Sequence, residues 1–183
     1  MSAADVPPPA APGEGDRAPF FALPADDGRE VRLAALRGGP VVLYFYPRDD
    51  TPTCTREACE FRDAFPRFAA ASATILGVST DDVRSHARFK AKHDLPFTLL
   101  ADVDHRVAER YGVWVEKQLY GRRFLGIERT TFVIDAAGRI AHVFRRVRSA
   151  GHGAAVAAAL EAIGTAPPPV GRRGGRRGSS PTG

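Results

Sequence analysis

Six consecutive residues, Val41-Val42-Leu43-Tyr44-Phe45-Tyr46, are apolar or aromatic, and prolines at 40 and 47 limit the run to one strand. A strand with one wet face alternates apolar and polar residues, whereas an unbroken run belongs to a strand buried on both faces. The chain must therefore seat this segment at the centre of a sheet and cover the sheet on both sides. Its other patterns supply the cover. Phe20 to Leu23 and Glu30 to Leu33 flank Asp26-Asp27-Gly28, a hairpin signal. A helix is predicted from about Cys54 to Ala64, interrupted or re-aimed by Pro66, followed by a strand over Ala73 to Ser79. Asp81 to His93 reads as a helix capped by Thr80 or Asp81, Thr98 to Ala101 as a strand, and Asp104 to Tyr111 as a short helix. Arg129 to Asp135 and Arg139 to Arg145 form a second hairpin through Ala136-Ala137-Gly138, and Ala154 to Ile163 closes the chain's pattern as an Ala-rich helix. This order predicts an α/β fold, a mixed central sheet flanked by helices.

With 183 residues, 44% hydrophobic and 26% charged, the chain can bury a core without disulfide or metal support, and its length suits one domain. Residues 1–16, rich in Pro, Ala and Gly, carry no apolar face and are expected to be a disordered extension, leaving 17–164 as the domain. Residues 165–183 are expected to be a disordered basic tail with four arginines and no acid, which serves solubility and makes at most salt-sensitive, non-specific contacts with nucleic acid. No early charged-then-apolar stretch resembles a signal peptide, and no run approaches the roughly 18 apolar residues of a membrane span. A cytoplasmic protein without a membrane partner is the expectation. Internal repeats and phosphate-loop glycine patterns are lacking in the sequence.

Both cysteines, Cys54 and Cys59, fall just after the apolar run, where a Thr/Pro/Asp-rich loop leads into the first helical pattern. A thiol at a strand-to-helix junction meets unpaired amides and the positive end of the helix dipole, which favour its nucleophilic thiolate form. In a reducing compartment two such thiols are more often catalytic or metal-binding than structural. A thiol five residues away can trap what the first becomes. Five helical residues correspond to a rise of about 7.5 Å and a rotation of roughly 140°, so the two side chains diverge in a regular helix. A disulfide needs Cα atoms within about 7 Å and converging Cβ vectors. The first helical turns must unwind before these two sulfurs can bond.

The pattern Pro47-x-x-x-Thr51-x-x-Cys54 resembles the active-site signature of the peroxiredoxins, the cysteine-based peroxidases. The whole string Tyr44 to Cys59 is similar to the peroxiredoxin Q or bacterioferritin-comigratory-protein subfamily. Further resemblances lie in Gly77 to Asp81, Pro96 to Asp102, Tyr111 to Trp114 and Gly126 to Asp135, so the likeness covers roughly residues 17 to 164 in order. The resemblance implies a thioredoxin-like fold. It also implies reduction of hydrogen peroxide and organic hydroperoxides to water and alcohols without a cofactor or metal, in a protein expected to be a monomer. Cys54 is then the peroxide-attacking thiolate, Pro47 shields it, Thr51 orients the peroxide oxygens, and Arg129 meets the charge that develops on them. Cys59 is the implied resolving thiol, forming an intramolecular disulfide with Cys54 that thioredoxin or a similar dithiol reductant recycles.

One position departs from the subfamily. Thr53 stands where relatives commonly have Gly, and a β-branched residue tolerates positive φ poorly, so the resemblance does not fix the loop geometry or the peroxide preference. Arg122 and Arg123 match no catalytic position. Other classes fit less well. A thiol–disulfide oxidoreductase of the same fold uses Cys-x-x-Cys, and here the first position of that spacing is Thr51. A metal module would need more ligands at fixed spacing, and the five histidines, His86, His93, His105, His142 and His152, are scattered.

Overall fold

The computed structural model describes residues 10–165, and the C-terminal tail lies almost wholly outside them. A five-stranded sheet forms the centre, ordered β5-β4-β3-β8-β9. Its middle strand β3 (Val41–Phe45) is the unbroken apolar run, buried at every position. It pairs in parallel with β4 (Thr74–Ser79), which pairs in parallel with β5 (Thr98–Ala101). On its other side β3 pairs antiparallel with β8 (Thr130–Ile134), and β8 with β9 (Ile140–Phe144). The mixed sheet flanked by helices is thus as the patterning predicts.

Alternation along β3 divides the core in two. Val41, Leu43 and Phe45 face one cluster with Phe21, Leu76, Val78, Val107, Tyr111 and Phe132. Val42, Tyr44 and Tyr46 face the other, with Cys54, Phe61, Phe68, Phe89, Phe97, Val133 and Leu160. The steps β3 to β4 and β4 to β5 move the same way across the sheet. Right-handed crossovers then set their helices on the same face, and α1 (Pro52–Asp63), α2 (Phe65–Ala70) and α3 (Val83–His93) all contribute to the second cluster. The last helix α5 (His152–Thr165) joins them, while the hairpin β1 (Ala22–Pro24) and β2 (Glu30–Arg32) and the short helix α4 (Arg106–Arg110) cover the first. No helix among the described residues is long and apolar enough to cross a membrane.

Three features depart from the sequence reading. Helix α3 is capped by Asp82, whose side chain accepts from the Ser85 amide at 2.8 Å, and not by Thr80 or Asp81. Asp81 is committed elsewhere, accepting from the Asp49 amide at 2.8 Å and the Ser79 hydroxyl at 2.6 Å. A hairpin absent from the prediction, β6 (Trp114–Leu119) and β7 (Arg122–Ile127), turns at Tyr120-Gly121 with φ of 50° and 75°, the positive pair of a type I′ turn. Only Ile127 of its twelve strand residues is fully buried, so no apolar alternation announces it. The expected extension over residues 1–16 is also too long: residues 10–16 are placed. Pro12 is buried, the Gly15 amide donates to the Ile140 carbonyl and the Ile140 amide to that of Asp16, each at 2.8 Å. Backbone pairing to β9 is what an edge strand's free groups require; composition alone does not reveal it.

Candidate active site

The site forms where β3 ends and α1 begins. Tyr46 leaves the sheet, half-buried Pro47 turns the chain, and Thr51 is the N-cap residue of α1, with φ −81° and ψ 154°. Pro52 occupies the first helical position, where its missing N–H and fixed φ are suited. Thr53 and Cys54 follow in the first turn, so their amides have no carbonyl in a preceding turn to serve. Thr53 lies in ordinary helical backbone; the positive φ of the loop falls at Asp50, 57°, a residue type that tolerates it. The loop therefore needs no positive φ at Thr53. Lys92 and His93 hold Asp50 at 2.7 and 3.2 Å.

A buried polar group braces the loop from behind. Asp49 accepts from the Tyr46 hydroxyl at 2.6 Å and the Ser85 hydroxyl at 2.8 Å, and lies 2.8 Å from Nδ1 of His86. Nε2 of His86 meets the Leu100 carbonyl at 2.9 Å. Among the described residues the scattered histidines thus yield one cluster, Asp49, Asp81 and His86, with ligand atoms within 4.8 Å of one another. Asp49 and His86 commit those atoms to the loop, α3 and β5. The arrangement ties the loop before α1 to the neighbouring elements.

Cys54 is 2% exposed and Arg129 comes to it from the two-residue link between β7 and β8, just before the strand in which the sequence reading placed it. Arg129 Nη2 donates to Cys54 Sγ at 3.1 Å, and Nη1 to Glu57 Oε1 at 2.8 Å. A planar, permanently charged fork can serve both partners at once. Pairing of the Arg129 carbonyl with the Val147 amide, 3.0 Å, and of the Glu128 amide with the Val113 carbonyl, 2.8 Å, fixes the link. The Thr51 hydroxyl donates to the Arg48 carbonyl at 3.1 Å, which leaves its oxygen lone pairs free to accept. Cys59, on the same regular helix, is half-buried, and both cysteines are free thiols. The structure brings Cys54 and Arg129 into contact and sets Thr51 one turn away, while Cys59 diverges along α1.

Glu57 escaped the sequence reading. It is fully buried, and among the described residues its Oε2 has no hydrogen-bond partner. Burial pushes its carboxyl up to about 7, against the lowering effect of Arg129. Its position was a signal: Cys54, Glu57, Ala58 and Phe61 occupy i, i+3, i+4 and i+7, so a carboxylate sits on the apolar stripe of α1. Tyr44 Oη, on the same face of β3, is likewise buried and without a partner among the described residues, and burial first, then Glu57 and Cys54, raises the phenol well above its ordinary value. Its ring lies across Gly77 of β4, where an added Cβ would fall 2.8 Å from Tyr44 Cζ, so no larger residue fits there. Lys117 of β6 reaches toward the site, and its ammonium is lowered by burial and by Arg129.

Behind α1, His152 is 5% exposed, and its Nε2 lies 2.8 Å from the Thr131 hydroxyl. Burial pulls it down to about 4. Glu57 and His152 therefore oppose each other in acid. As pH rises from about 4.5 to 7 the unfolded chain releases the Glu57 proton first, so stability falls. As pH falls from 6.5 to about 4 the unfolded chain takes up the His152 proton first, so stability again falls. Each effect has a ceiling of about 3 kcal/mol, and they cancel where the windows overlap. Relative to the wild type, Glu57→Gln is expected to lose stability on acidification from pH 7 to 4.5. His152→Gln is expected to gain it from pH 6.5 to 4. Urea midpoints across pH check both; profiles parallel to the wild type would refute them.

The model for proteins described as the AhpC/TSA family matches residues 14–143. A Coxiella burnetii protein carrying the peroxiredoxin Bcp name is 50% identical over 146 residues, spanning 80% of this chain and 97% of that one. Peroxiredoxin Bcp of Bacillus subtilis is 46% identical over 149 residues, covering 81% and 93%. Among solved structures, the bacterioferritin comigratory protein of Xanthomonas campestris, studied for alkyl peroxide reduction, superposes with a TM-score of 0.75 at 42% identity, over 78% of this chain and 91% of that one. With a mixed sheet of the thioredoxin-like kind and a cysteine signature at the head of α1, the chain belongs to the AhpC/TSA family of peroxiredoxins, in its Bcp or peroxiredoxin Q branch.

Proposed function

We propose that the protein is a thiol peroxidase that reduces hydrogen peroxide and organic hydroperoxides at Cys54 and draws its electrons from thioredoxin or a similar dithiol reductant. The contact of Arg129 Nη2 with Cys54 Sγ at 3.1 Å carries the reading. A Cys54 thiolate attacks the terminal peroxide oxygen, an S–O bond forms as the O–O bond breaks, and the departing alkoxide or hydroxide takes a proton. Arg129 meets the negative charge building on the two oxygens, where a preorganised donor has most effect. The Thr51 oxygen accepts from the peroxide O–H and sets the line of attack. Pro47 shields the sulfur from bulk water.

The Cys54 sulfenic acid is then attacked by the Cys59 thiolate. The S–S bond forms, the sulfenic hydroxyl leaves as water with a proton, and α1 unwinds at its start to let the sulfurs meet. An external dithiol reduces that disulfide and restores the helix. The reading includes a monomer working in the cytoplasm, with the folded unit as the whole catalytic apparatus. A peroxidase-free thiol–disulfide oxidoreductase is disfavoured, because the position three residues before Cys54 holds a threonine.

The purified protein, supplied with a thioredoxin reducing system, is expected to consume several hydroperoxides catalytically. Cys59→Ser is expected to consume about one equivalent and then stall until a small thiol is added. Undiminished turnover by Cys59→Ser with thioredoxin alone would remove its resolving role. Absence of peroxide consumption by the wild type would remove the function.

A further inference from the structure

Immediately after Cys59, the helix α1 is tied to the opposite end of the chain by a contact that the chemistry above does not use. The carboxylate of Glu60 accepts from the Gly151 amide through Oε1 at 3.0 Å and from the Gly153 amide through Oε2 at 3.2 Å. These amides open α5, whose first-turn N–H groups have no partner within the helix. A carboxylate there is favoured by both the free donors and the helix dipole. The approach of the two helices is as close as backbone allows. A Cβ added to Gly153 would fall 2.6 Å from the Glu60 carbonyl oxygen and 2.9 Å from its carbon.

The start of α5 is itself fixed to the sheet. His152 is buried, lies 2.8 Å from the Thr131 hydroxyl on β8, and has the Phe61 and Phe144 rings edge-on at 5.5 and 5.3 Å. Glu60 therefore joins the segment of α1 that the proposed disulfide would unwind to a helix start held on the sheet. Everything from Cys54 to Cys59 lies on the mobile side of this tie, and the tie begins at the next residue.

We infer that Glu60 is a positioning residue for the catalytic cycle: its capping of α5 holds α1 helical, keeps Cys54 against Arg129 for the peroxide step, and sets how readily Cys59 is released to form the disulfide. The inference rests on the proposed resolving role of Cys59. It concerns a competition at the Cys54 sulfenic acid. Unwinding lets Cys59 displace the hydroxyl as water. While the helix stays wound, a second hydroperoxide oxidises the sulfenic acid to sulfinic acid, adding one oxygen and releasing one alcohol or water. A tighter tie favours the second outcome.

The test uses the full chain with Glu60→Ala, Glu60→Gln and Gly153→Ala. Losing a side-chain cap shifts a helix equilibrium by about fivefold, so the ratio of disulfide to sulfinic acid, read by mass spectrometry over a hydroperoxide series, is expected to rise about fivefold in Glu60→Ala. Glu60→Gln retains one acceptor oxygen and should fall between it and the wild type. Gly153→Ala forces the helices apart without changing Glu60 and should move the ratio the same way. Hydrogen exchange over residues 53 to 62 of the reduced protein should rise in step. A loss of thermal stability with an unchanged ratio and unchanged exchange would make the contact merely structural and overturn the inference. Lack of a Cys54–Cys59 linkage in the oxidised wild type would overturn the resolving role, and the tie with it. A wild type that forms the linkage beside variants with its ratio overturns the tie alone.

Discussion

Cys54→Ser is expected to fold, to keep its Arg129 contact as a hydroxyl acceptor, and to consume no hydroperoxide above background, a loss on the order of a thousandfold or more. A serine hydroxyl is a far weaker nucleophile than a thiolate near neutral pH. Arg129 stabilises an anion at this position but cannot take a proton. Cys54 is also a buried member of the second core cluster, so the substitution could act through the fold; sulfur and oxygen differ little in size, and a thermal melt separates the two cases. The measurement is stopped-flow oxidation followed by trapping of the sulfenic acid. Full turnover by a well-folded Cys54→Ser would remove the site from α1 altogether. The expected contrast with Cys59→Ser, one equivalent against none, separates attack from resolution.

Much of this arrangement is legible because its signals are local. The run from Val41 to Tyr46 states a strand buried twice, and β3 is that strand, with every position buried. Parallel strands separated by helical patterns fix the side on which α1 and α3 lie. The cysteine motif marks the end of β3, and the segment before Thr130 marks the arginine. What escaped depends on partners distant in sequence. Glu57 reads as one more surface acid until Arg129, 72 residues away, is seen to need a second acceptor. The β6–β7 hairpin buries too little for its alternation to show. Residues 10–16 are composed like a linker and become ordered because the edge of β9 offers them backbone partners. At Thr53 the sequence shows a β-branched residue in place of Gly, but not which loop residue takes positive φ. Asp50 takes it, and the contacts that allow this come from Lys92 and His93 on α3.

Arg129→Ala is expected to slow the peroxide step by on the order of a hundredfold or more, the usual loss when one fixed donor to a developing anion is removed. Thr51→Val should act in the same direction by removing the acceptor that aligns the peroxide. The Arg129 substitution carries a second consequence, because the guanidinium is also the partner of a fully buried acid. Without it the lowering influence on Glu57 disappears, burial acts unopposed, and the carboxyl keeps its proton to higher pH. The variant therefore escapes an unpaired buried charge near neutrality, and its folding stability should fall less than its activity. Combining Arg129→Ala with Glu57→Gln tests this separation: the double variant should regain stability at alkaline pH and remain slow toward hydroperoxide. Arg129→Lys retains a charge but lacks the fork that reaches both Cys54 and Glu57, and should recover only part of the rate. Stopped-flow oxidation rates decide the matter. If Arg129→Ala and Thr51→Val both oxidise at near-wild-type rates, the charge on the peroxide oxygens is met by other groups and the contact at 3.1 Å serves only to hold the thiol in place.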